Sequence, residues 1–298
     1  MLGPCFWSVR NILYICLAER NQSNSSSYTM DIQISSVKVE HYRNTTSYEG
    51  TFTEHITYVP NDVAIGIRKC LSWLTARLRS LSGRGEILRK EEIQPNADYS
   101  YVTLRMNISN FPYEWSIGKT IKGEPPYKKN LKDATECSDH IIQWKDEGKM
   151  YRPILAWYGK EDLKGFTEWL KEVQAEENEV FVSSRENGEP FHGDYRLNIL
   201  NGMIRNWSDG FYNHVNYSFA EERVVFHTPH GMDEFKDIPS AVRRPMFILM
   251  DMLRIASRVE HPNPLNTPGV VVIEEHLSPD EVEKMSSVFP NCQFIVSE

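Results

Sequence analysis

Two hydrophobic rhythms alternate along the chain. "DIQISSVKVEHYR" (31–43) interleaves apolar and polar residues and predicts a first strand, and "TFTEHITYV" (51–59) predicts a second. Past Pro60-Asn61 the period changes. Leu71, Leu74 and Leu78 fall on one stripe, predicting a helix from about Ile67 to Leu81 that ends near Ser82-Gly83. "ADYSYVTLRMNISN" returns to period two, with Val102, Leu104, Met106 and Ile108 on one face. Helices are expected over 131–147, 160–177, 195–206, 239–259 and 280–287, with "SSRENGEPFHGD" as a polar loop between the second and third. "YRPILAWYG" reads as a short buried strand, and "FYNHVNYSF", "ERVVFHT" and "CQFIVSE" read as three more. "GVVVIEE" (269–275) is an unbroken apolar run ending on two acids, which suits a central strand covered on both faces.

Composition narrows the class. The chain has 298 residues, 40% hydrophobic and 25% charged, enough for one large α/β domain or two smaller ones. A net charge of −8 argues against a broad nucleic-acid-binding surface. Cys5, Cys16, Cys70, Cys137 and Cys292 are odd in number and lack CxxC spacing, so neither a disulfide framework nor a zinc site is expected. A reducing, cytoplasmic setting fits them. Residues 1–29 carry an apolar stretch broken by Arg10 and then a Ser/Asn-rich tract. That is neither a signal peptide nor a membrane span, and the expectation is a loosely packed or disordered extension ahead of a start at Met30.

Candidate chemistry sits in two places. "YVPNDVAIGIRKCLSWL" (58–74) is a strand, a tight turn and a helix, the context of the GxxxxGK[ST] phosphate loop. Glu274 and Glu275, delivered by a buried strand, stand where a nucleotide hydrolase holds magnesium and orients the attacking water. An ordinary acidic turn is the alternative there. His227 and His230 have no cysteine or acid at ligand spacing and read as a loop pair, and His276 as a turn residue. Arg68, Arg77, Arg79, Arg84, Arg89 and Lys90 form a basic run, either a solvated face or a grip on a nucleic-acid backbone.

Taken in order, these segments resemble the ATPase heads of the ABC type, in particular RecF-like or "AAA family" ATPases. The resemblance is carried by "VKVEHYRN", "HITYVPNDVAIGI", "YRPILAWYG", "GFTEWLKEVQAEENE", "IPSAVRRPMFILMDMLR", "VVIEEHLSP" and "FPNCQFIVSE". It implies a P-loop NTPase-like α/β head over residues 30–298, with a mixed central sheet and a helical insertion over roughly 120–210. It also implies that the nucleotide-contacting words have eroded. Asn61 and Asp62 begin a degenerate phosphate loop in which Ile65 stands at the lysine and Gly66 at the Ser/Thr that would ligate magnesium. In a degenerate signature, Pro239 and Ala241 replace serine and glycine while Arg243 keeps its place, and the chain stops at Ser297-Glu298 before the family's histidine.

Each charge-assisted hydrogen bond lost costs about 1.5–3 kcal/mol, roughly tenfold or more in affinity. The implied function is therefore a pseudo-ATPase scaffold with no cofactor. It would act through a protein partner or a second copy, in a bacterial or phage defence setting, without a membrane. Two alternatives stay open: a weak Mg-ATP-dependent ATPase with Glu274 at the metal and Glu275 as base, and a nucleic-acid-binding regulator using the basic 68–90 face.

Overall fold

The computed structural model describes residues 28–29, 31–79, 85–108, 111–122, 150–151, 153–159, 161–258 and 263–298. The helix expected over 131–147, and all but the last two residues of the 1–29 leader, lie outside them. Those two, strand β1 (Tyr28–Thr29), pair in parallel with β7 (Met150–Tyr151).

The α/β class expected from the sequence is observed, as layers. The first layer is an antiparallel sheet of β2 (Ile32–Tyr42), β3 (Thr45–Thr51), β5 (Tyr99–Ile108) and β6 (Phe111–Thr120), in the order β3-β2-β5-β6. Within β2 the buried positions are Ile32 and Ile34, then Val37 and Val39, and finally Tyr42, so the alternation slips by one residue at Ser35-Ser36. The register against β5 shifts between Ile34 and Ser36, a β-bulge that returns the second pair to the core face. The expected strand over 51–59 is two pieces, β3 ending at Thr51 and β4 (Ile56–Val59). β3 belongs to the antiparallel sheet and β4 to a different one.

That second sheet is parallel and orders β4-β13-β12-β8, where β8 is Ile154–Tyr158, β12 Gly269–Ile273 and β13 Cys292–Ser297. Every residue of β12 and β13 is buried. Alternate side chains enter two cores. Val270, Val272 and Ile295 join the antiparallel sheet, while Val271, Ile273, Phe294 and Val296 join the helices on the opposite face. The apolar run of β12 is thus the signature of a strand with no wet face.

Helix α1 (Asn61–Arg79) fills the space between the two sheets, with Val63, Ala64, Ile67, Cys70 and Leu71 fully buried. On the far face lie α2 (Lys164–Asn187), α3 (Tyr195–Trp207), α4 (Ser240–Ser257) and α5 (Pro279–Val288). A small antiparallel sheet of β9 (His214–Ser218), β10 (Arg223–Thr228) and β11 (Gly231–Glu234) adds Val215, Tyr217, Val224 and Phe226 to the same core. α2 runs ten residues beyond the expected 177, so Ser183–Asn187, read as loop, is helix. Within the span expected to be a helical insertion, β8 is an edge of the central sheet, and α2 and α3 follow it.

A buried ionic knot ties α1 to the first sheet. Glu92 accepts from Lys69 Nζ at 2.5 Å, Arg43 Nη2 at 2.8 Å, Tyr42 Oη at 3.2 Å and the Arg89 amide at 2.9 Å. Burial alone would raise the Glu92 pKa. The hydrogen bonds from Lys69 and Arg43 overcome it and bring it from 4.5 down to about 2. Because the folded value is depressed, the stabilisation is complete above the unfolded value and is lost as pH falls from about 4.5 to about 2. Urea denaturation across this window should therefore show stability falling with pH, with a clearly shallower fall in Glu92→Gln; equal slopes would show that Glu92 is not part of the titration.

Candidate functional site

The strand-to-helix junction contains no loop. β4 ends at Val59, Pro60 intervenes, and α1 begins at Asn61, six residues before the Ile67 expected from the sequence. Pro60 sets the direction of the first turn. Its carbonyl takes the amides of Val63 at 2.9 Å and Ala64 at 3.0 Å. Asn61, Asp62, Ile65 and Gly66 consequently lie in the first two turns of a regular helix. A phosphate-cradling arch needs consecutive amides pointing outward, and here those of Val63 and Ala64 are already engaged.

Two candidate residues of this stretch, Asp62 and Gly66, have structural roles. Asp62 accepts from the Asn44 amide at 3.1 Å and the Asn44 side chain at 3.0 Å, with Arg43 Nη1 at 3.8 Å. It clamps the β2–β3 turn, where Arg43 takes a positive φ of 52°. Gly66 faces β5, and a Cβ there would come within 3.0 Å of Val102 Cγ2 and 3.6 Å of Tyr42 Cε1. The glycine lets α1 approach the sheet.

Glu274 and Glu275 leave the carboxyl end of β12, where ligands of open α/β sheets bind. The Glu274 amide donates to Tyr158 O at 2.8 Å, and its carboxylate lies over Gly159, whose added Cβ would stand 2.8 Å from Glu274 Oε2. Its counterion is internal. Arg68, two turns into α1, forms ion pairs with both Glu274 and Glu86. Arg68 Nε and Glu274 Oε1 are buried and in ionic contact without hydrogen-bond alignment. Burial works against the Arg68 charge, but Glu274 and then Glu86 outweigh it and hold its pKa above the ordinary guanidinium value. Arg68, expected from the sequence in a basic run on a solvated or nucleic-acid-facing surface, is turned toward the acid by the packing of α1 under β12.

Glu275 pairs with Arg244 Nη1 at 3.1 Å. Arg243 donates to Glu161 at 3.0 Å and to the Lys236 and Ile238 carbonyls at 3.2 and 3.4 Å. Pro239 is the N-cap of α4 and Ala241 lies in its first turn. The signature-like segment is thus brought beside the acidic strand end. Between them is a cavity of about 10 Å³ lined by Tyr158, Glu161, Arg244, Phe247 and Glu275, room for about one water. Beneath it, Tyr158 Oη donates to Asp251 at 3.1 Å and Arg254 Nε to Asp251 at 2.6 Å. Burial first, and then the Asp251 charge, raise the Tyr158 pKa well above its ordinary range.

The remaining candidates are dispersed. His227 stacks on His214 with centroids 3.8 Å apart and lies 2.5 Å from Asn216 Oδ1, and His230 sits in the β10–β11 turn. Among the described residues, no three His, Cys, Asp or Glu side chains are grouped to hold a metal, and no helix is long and apolar enough to cross a membrane. Of the basic run, Arg68 and Lys69 are used internally while Arg89 and Lys90 are exposed. Sequence reasoning missed Glu86, Glu92, Glu161 and Arg244. All four act through contacts between residues distant in the chain, which no local motif signals.

No protein-family model matches the chain, and no curated protein does. Among solved structures, it is similar to an SMC head domain from Thermotoga maritima at 11% identity and a TM-score of 0.40, over 89% of this chain and 88% of that one. It is also similar to the recombination mediator RecF with ATP, at 10% identity and a TM-score of 0.41, over 90% and 94% of the two chains. A second RecF structure, with ATPrS, matches at 11% identity and 0.41 over 92% and 94%. Likenesses this loose are of general shape and add no weight to the site.

Two substitutions probe this geometry. Arg68→Gln strands the half-buried Glu274 carboxylate and should cost about 1–3 kcal/mol in urea unfolding, less than breaking a fully buried pair. Adding Glu274→Gln should recover more than 1 kcal/mol, and strict additivity would show that the two groups are not coupled. Gly66→Leu overpacks the α1–β5 contact and should cost about 1–3 kcal/mol; an unchanged unfolding midpoint would show that the gap is not tight.

Proposed function

We propose that this chain is an ABC-type ATPase head that has become a scaffold: it does not grip polyphosphate, and it acts by binding another protein. The observation that carries this reading is the β4–α1 junction. Helix starts at Asn61, the amides of Val63 and Ala64 close onto Pro60, and the acid at the end of β12 is neutralised by Arg68. Both features lie at the carboxyl edge of the parallel sheet, where a nucleotide would sit in an α/β head. An internal guanidinium there supplies the charge that a bound cation would supply in an active site. It is covalently tethered, so an incoming magnesium must displace it. The positions that would carry the lysine and the hydroxyl hold Ile65, packed against the core, and Gly66, buried against β5.

Thermal unfolding in Mg-ATP tests the reading directly. A ligand at a hundred times its dissociation constant stabilises a fold by about 2.7 kcal/mol, a rise on the order of 5 °C or more for a chain of this size. No shift is expected at millimolar Mg-ATP, in the natural chain or in Arg68→Gln. A saturable rise in the natural chain would overturn the proposal.

A further inference from the structure

We propose that the tip of the α2–α3 hairpin is a docking site for a protein segment with an apolar centre and a basic surround, such as a cationic amphipathic helix. The first observation is where the core stops. α2 buries Phe166, Trp169, Leu170 and Val173, and beyond Val173 only Ser184 of the helix is buried. From Asn178 to Asn187 it runs about 15 Å past its packed part. In that stretch Val180, Phe181 and Val182 are consecutive and 57%, 44% and 52% exposed. Three consecutive helical residues span about 200° of arc, so no single face of the head can cover them all.

The second observation is that the tip is built. Gly188 takes φ 70° and ends the helix, with its amide on Arg185 O and the Glu189 amide on Ser184 O at 2.8 Å. Phe191, across the loop, meets Phe181 edge-on with centroids 5.1 Å apart, and Tyr195 at the start of α3 is 47% exposed. Asp194 caps α3 through the Arg196 amide at 2.7 Å, and its own amide donates to Glu177 at 2.8 Å. Arg196 then bridges Asp194 and Glu176 at 2.6 and 2.5 Å. The base of the hairpin is fastened and its tip stopped, while five large apolar side chains face solvent between them. Exposed apolar clusters of this kind mark interaction surfaces.

Charge selects the partner. Residues 176–196 hold six acids (Glu176, Glu177, Glu179, Glu186, Glu189, Asp194) against Arg185 and Arg196, a net of −4. Arg196 is consumed at the base, and Glu179, Glu186 and Glu189 make no ion pair among the described residues. Two such tips would repel each other, and so would a nucleic acid or an anionic membrane. A helix with leucine-like residues on one face and lysines beside them complements both features. This site lies apart from the carboxyl edge of the sheet, so it stands or falls separately from the reading of the head.

The test uses the full chain and two fluorescent twenty-residue peptides of identical leucine and lysine content, one amphipathic as a helix and one scrambled. The amphipathic peptide should bind at least tenfold tighter than the scrambled one, and more weakly as salt rises. Val180→Gln/Phe181→Gln/Val182→Gln, with its circular dichroism checked, should lose at least tenfold in affinity. Glu179→Lys/Glu186→Lys, which leaves the apolar residues in place, should lose binding and flatten the salt dependence. Equal binding of the two peptides, or affinity untouched by both variants, would overturn the proposal. So would sedimentation showing a dimer that the triple variant dissolves, which would make a second copy the occupant, or tight binding to anionic vesicles.

Discussion

Everything in this protein is arranged around a parallel sheet that has no solvent face. Once β12 and β13 are covered on both sides, a polar group near them that finds no partner inside the protein costs roughly 1–3 kcal/mol. Gln293 shows the rule. Its side chain takes the Ile34 amide at 2.8 Å and donates to Ile34 O at 2.9 Å and Thr53 O at 2.7 Å, stitching the last strand to the first sheet. Glu92 with Lys69, Tyr158 with Asp251, and Arg68 with Glu274 follow the same rule at other depths.

Seen from that constraint, the carboxyl edge of the sheet is a place where charge has been settled internally. An ATP site leaves charge unsettled on purpose: amides without acceptors and an acid awaiting a metal. Here the amides of Val63 and Ala64 are engaged by Pro60, and α1 carries Arg68 to the depth where Glu274 sits. Glu275 and Arg244, and Arg243 with Glu161, continue the same neutralisation toward α4.

The hairpin tip presents the opposite situation. There the backbone is fully stopped and capped, yet apolar side chains and three glutamates are left to solvent. One chain thus combines a sheet edge whose charges are paired internally with a helical arm whose apolar and acidic side chains are not.

By itself the sequence determined the periodic elements: the existence of β2, the parity of β5, the continuous run of β12, and the helices that became α3, α4 and α5. These depend on near neighbours, and period is a local property. β3 and β6 were not legible, because β3 is half-exposed and polar and β6 carries Pro112 and Gly118, which weaken the strand signal. The start of α1 and the length of α2 were missed for a related reason: helix boundaries are set by packing and caps more than by composition. Only the tertiary structure decided that the first and last parallel strands are neighbours, and that Arg68 meets an acid more than two hundred residues away. Such pairings arise from burial shared by distant segments, and no stretch of sequence contains both partners.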